Sequence, residues 1–93
     1  MPYISPTRRN DLAPFVGSMC EAIRYCPVGD LNYTITRIVD TWVQGRNGKG
    51  YARYEDYNAA LGVLEAAKLE LYRRMVGPYE DTKAQENGDV YGK

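Results

Sequence analysis

Apolar side chains along this chain recur at three- and four-residue intervals, the spacing that gathers them on one side of a helix. Ser5-Pro6 is a helix start: a serine hydroxyl caps free amides and proline suits the first helical position. That helix is expected to last one or two turns and to end before Pro14. Asp11 then caps a second helix over about 13–25, with Phe15, Val16, Met19, Ala22 and Ile23 on its stripe and Pro27 and Gly29 as its breakers. Asp30 caps a third, over about 31–44, where Leu31, Ile35, Ile38, Val39 and Trp42 share one narrow arc. The stretch Tyr33-Thr34-Ile35-Thr36 has strand propensity as well, but five positions agree with the helical period, and the period decides.

Gly45-Arg46-Asn47-Gly48-Lys49-Gly50 interrupts the pattern, and its Asn-Gly step could close a small hairpin between Val43 and Ala52. The best-specified helix follows, from Tyr54 or Asp56 to Val76. Glu55 and Asp56 stand at its positive end and Arg73 and Arg74 at its negative end, and Gly77-Pro78 should stop it. Beyond Tyr79 the chain turns polar, with a short helix expected around 81–86 and a turn at Asn87-Gly88-Asp89. These elements predict an all-α fold: a small bundle of three to five helices, with a short hairpin or loop around 45–52. It is read as a single helical domain over 1–93 with a polar tail over 79–93, the long helix packing on those at 13–25 and 31–44.

One position breaks the pattern of the long helix. Tyr57, Leu61, Leu64, Leu71, Tyr72 and Met75 form its stripe, and Lys68 falls close to the middle. An ammonium there must reach water, pair with a carboxylate or meet an anionic ligand, because an unpaired buried charge is costly. Val63, Leu69 and Val76 fall off the stripe. Large apolar residues on several faces predict a homo-oligomer.

Composition narrows the chemistry. Among 93 residues there are nine Tyr beside one Trp, one Phe and no His, and twelve basic residues balance twelve acidic ones. Without His there is no imidazole base or imidazole metal ligand. The two cysteines, Cys20 and Cys26, have no zinc-like spacing and no His to activate them, and they read as reduced thiols in or near the core. The acids Glu80, Asp81, Glu86 and Asp89 fit no calcium loop. The glycine-rich loop is not a Walker motif, since Gly50 follows Lys49 where Ser or Thr is needed; it is a ligand loop or a plain connection. Zero net charge argues against general coating of nucleic acid. No run approaches the ~20 apolar residues of a membrane span, and no leader-like segment opens the chain, so a cytoplasmic location in a host cell is expected. A non-enzymatic binding protein without cofactor or metal is the resulting expectation. Tyr and Arg together often hold nucleotides, tyrosine on a base and arginine on a phosphate, and Tyr33 and Arg37 stand four apart with Thr36 and Asp40 beside them. An exposed tyrosine packed on an arginine stem is the alternative. Tyr33, Arg37, Lys68, Tyr72 and Arg73 are the candidate ligand contacts.

The string Gly29-Asp30-Leu31-Asn32-Tyr33-Thr34-Ile35-Thr36-Arg37, then Tyr54-Glu55-Asp56-Tyr57-Asn58, Gly62-Val63-Leu64-Glu65, Lys68-Leu69-Glu70-Leu71-Tyr72-Arg73-Arg74, Pro78-Tyr79-Glu80-Asp81 and Glu86-Asn87-Gly88-Asp89-Val90-Tyr91 resembles a family of short proteins of unknown function in tailed bacteriophages and prophages. The resemblance covers nearly the whole chain and carries no catalytic or binding residue with it. It implies a phage accessory protein. One expected job is sequestering a small nucleotide signal to counter host defence. The other is a protein–protein interaction module, either an inhibitor of a host protein or a minor assembly factor.

Overall fold

Ser5 does cap the first helix, its Oγ accepting the Arg8 N–H at 3.3 Å with Pro6 just inside. In the computed structural model, which describes residues 1–92, helix α1 then runs unbroken over Pro6–Ile23. The expected stop before Pro14 and restart at Asp11 do not occur. Pro14 removes only one donor, and the Asn10 carbonyl left without it lies on an exposed turn that water can reach. Asp11 pairs instead with Arg8, one turn away, at 3.0 Å.

Tyr25, at a left-handed φ of 66°, follows the end of α1, and Pro27 leads into α2, Val28–Gly45. Asp30 sits in its first turn rather than at its cap. After a loop come α3, Tyr54–Leu71, a π-helical turn over Tyr72–Val76, and α4, Gly77–Asn87. Gly77-Pro78 therefore does not end the helical run. In a regular α-helix the Pro78 ring would collide with the Arg74 carbonyl four residues back. Widening the turn relieves this: the Gly77 N–H donates to the Tyr72 carbonyl, five residues back, and helical geometry resumes. Where a hairpin was one option around 45–52, the loop has turns, and no strand occurs among the described residues. The fold is all-α.

Residues 2–60 form one compact unit and those from 61 onward belong to a second. In the first unit Val43, Ala60 and Asp56 are buried; in the second, no described residue is. Within the first unit the stripes of α1 and α2 thus do not bury one another. Phe15, Val16 and Met19 on α1, four stripe residues on α2 and Leu61, Leu64 and Leu71 on α3 are all exposed, as are Val63 and Leu69 off the stripe.

Candidate interaction surface

On α2 the exposed residues Val28, Leu31, Ile35, Ile38 and Trp42 follow one another at intervals of three, four, three and four. That is the heptad spacing that turns one side of a helix into a continuous seam. Leu31, Ile35, Ile38 and Trp42 are 41–51% exposed. The positions bordering the seam carry no charge: Asn32, Thr34 and Thr41, with Val39. The Thr34 hydroxyl donates to the Asp30 carbonyl at 2.8 Å and the Thr41 hydroxyl to the Arg37 carbonyl at 3.0 Å. With their polar atoms satisfied inside the helix, these threonines can offer methyl groups to a visitor.

The C-terminal end of α2 is fixed by a polar knot. Asp56, fully buried, stands in the first turn of α3. Its carboxylate accepts the Arg46 Nη1 at 2.8 Å, the Asn47 Nδ2 at 3.0 Å and the Arg53 backbone N–H at 2.9 Å. Asn47 also donates to the Tyr51 carbonyl and accepts the Lys49 N–H, with Gly48 and Gly50 at positive φ completing the loop. Arg46, so held, lays its guanidinium over Trp42 at 5.3 Å. The knot thus connects the loop to the last residue of the seam. Sequence reasoning missed this use of Asp56. The available signal was an acid three residues after Arg53 and an Asn-Gly turn just upstream, a one-sided version of a capping box.

The Arg53 amide, then Arg46, hold the Asp56 carboxyl below the ordinary 3.8, outweighing the opposing effect of burial. A depressed carboxylate contributes stability above its unfolded value and loses it as pH falls toward the folded one. Stability should therefore hold down to about pH 4 and then decline, the decline being shallower in Asp56→Asn, as read from circular-dichroism melts across pH 2–7. Parallel profiles for both proteins would contradict this account of the knot.

Each candidate ligand contact has a definite place. Tyr33 lines a shallow depression with Met19, Ile23 and Cys26 where α1 meets α2. Arg37, one turn on, accepts the Thr41 hydroxyl at its backbone carbonyl, while its guanidinium has no hydrogen-bond or ion-pair partner among the described residues. Lys68 lies on the α3 stripe as expected but is not buried: its side chain is 68% exposed and its Nζ is 3.1 Å from Glu65. Arg73 reaches Glu70 at 3.4 Å. Tyr72 donates to both Glu80 oxygens at 3.1 and 3.2 Å across the π turn, and this hydrogen bond, then the negative charge of Glu80, raises the phenol pKa. Tyr33 and Arg37 belong to the first unit, Lys68, Tyr72 and Arg73 to the second.

Both cysteines are free thiols, but exposed ones rather than the core thiols expected; Cys26 donates to the Ala22 carbonyl at 3.3 Å. Among the described residues no three of Cys, Asp and Glu converge as a metal site would need, and no helix is long and apolar enough to cross a membrane.

The chain matches the family described as a domain of unknown function, DUF6899, over residues 1–90, and belongs to it. No curated protein and no solved structure is found to match it.

Proposed function

We propose that this member of the DUF6899 family is a non-catalytic protein–protein interaction module that works through the apolar seam of α2. Its setting would be that of a phage accessory protein, an inhibitor of a host protein or a minor assembly factor. The observation that carries the reading is the uncovered run Val28, Leu31, Ile35, Ile38 and Trp42, bordered by neutral side chains. A stripe of that regularity fits an apolar helix of a partner, and its uncharged borders select by shape more than by charge. A second reading, a nucleotide-sequestering protein, is favoured by Arg37, a guanidinium with no partner among the described residues one turn from Tyr33.

One experiment separates the two. A photo-crosslinking residue at Ile38, on the seam, should capture one discrete protein in host cells, while the same group at Asp40, on the outer side of α2, captures none. Mono-, di- and cyclic nucleotides and ADP-ribose should leave the melting temperature unchanged, because only a ligand that binds the folded state raises it. Capture that is equal at both positions, or a nucleotide-dependent rise abolished by Arg37→Ala, would replace the interaction reading with the other.

A further inference from the structure

The lysine in the α3 stripe has a geometric consequence. Leu61, Leu64, Lys68 and Leu71 are spaced three, four and three, and Tyr57 precedes them by four, so they form a second heptad seam on an element distinct from α2. Leu61, Leu64 and Leu71 are exposed, with Leu64 the least so at 38%. Ala67 borders one edge of the exposed seam and Glu65 the other, Ala60 being buried within its own chain. A small residue on one border permits close approach of a second helix.

Residue sums decide the direction in which that helix runs. In a parallel pair in register every position meets its own copy, and two Lys68 ammonium groups would face each other in a narrow apolar channel. Like charges so placed are unfavourable. In an antiparallel pair about residue 66, Leu61 meets Leu71 of the other copy and Lys68 meets Leu64. The four-residue pattern is its own mirror about that point, so every layer is filled. The charges also match. Lys68 already holds Glu65 at 3.1 Å in its own helix, and the two-fold brings two such pairs together as an alternating set of two ammonium and two carboxylate groups. A polar residue at one seam position is a known means of fixing register and partner number.

We infer that the occupant of the α3 face is a second copy of this chain, packed antiparallel through Leu61, Leu64, Lys68 and Leu71, with the Lys68–Glu65 pairs on the two-fold axis. The assignment stands apart from the reading of α2, since a chain may pair through α3 whether or not α2 takes a partner.

The test uses the full chain with Cys20→Ser and Cys26→Ser as background. Leu61→Cys and Leu71→Cys variants, mixed and oxidised, should give mainly the mixed disulfide; disulfides of each variant with itself in preference to the mixed one would mean a parallel pair and overturn the proposal. Lys68→Glu should raise the dimerisation midpoint in sedimentation equilibrium by at least about tenfold, and Glu65→Lys combined with Lys68→Glu should restore it. Recovery in the exchanged pair shows that the lone substitution acted through charge and not through misfolding. A wild-type chain that stays monomeric to its solubility limit, or an exchanged pair that dimerises no better than Lys68→Glu alone, overturns the proposal.

Discussion

An Asp56→Ala variant is expected to melt on the order of 10 °C below the parent, the largest loss from any single polar substitution in the chain. The reason is the number of groups that lean on one carboxylate. Arg46, Asn47 and the Arg53 amide all donate to Asp56, and the side chain has no exposure to water through which they could be rehydrated in place. Removing the acceptor takes a partner from three donors at once, one of them charged, although the half-exposed Arg46 can turn to water. The helical start at Tyr54 loses its anchor at the same time, because the Arg53 amide is the group that precedes the first turn of α3. Asp56→Asn should be intermediate: one oxygen can still accept, but the new NH₂ faces donors. Differential scanning calorimetry on the three proteins checks the order, and an alanine variant that melts with the parent would show the knot to be ornamental.

Val43→Asp is expected to cost on the order of 3 kcal/mol, measured by urea unfolding. Val43 is 3% exposed, and with Ala60 it makes up the buried apolar interior of the described chain. A carboxylate there has no cation assigned to it, since Arg46 is committed to Asp56. Val43→Ala should cost less, about 2 kcal/mol, because it removes apolar contact without adding a buried charge. Equal losses for the two would mean that the site opens to water more easily than its burial suggests.

The helical elements could be read from the chain because spacing is local information. Leu31, Ile35, Ile38 and Trp42 announce α2 whatever surrounds them. Two punctuation residues misled for a shared reason. Pro14 and Gly77-Pro78 break helices when the freed carbonyl has nowhere to turn, yet α1 is exposed at Asn10 and the later run absorbs its proline by widening one turn. Whether such relief exists depends on surroundings that a string of letters does not display. The same holds for burial. Periodicity tells which side of a helix is apolar, not what covers it, so the stripes of α1 and α2 were legible while their exposure was not. Lys68 illustrates both halves: its place on the stripe was legible, its pairing with Glu65 and exposure were not. Asp56 was the reverse case, an acid that looks like ordinary helix-start decoration and is the most enclosed side chain among the described residues.

The Asp56 knot also carries a practical warning for anyone who wants to tag, split or graft onto this protein. A run of glycines and an asparagine usually advertises a permissive place for added sequence. Here the ring of hydrogen bonds from Arg46 to Asp56 fixes how many residues separate the two helices, so a fluorophore-bearing peptide spliced after Gly48 would pull Asn47 from its acceptors and shift Trp42 with it. The region after Gly88, whose backbone has already left α4, offers a gentler point of attachment.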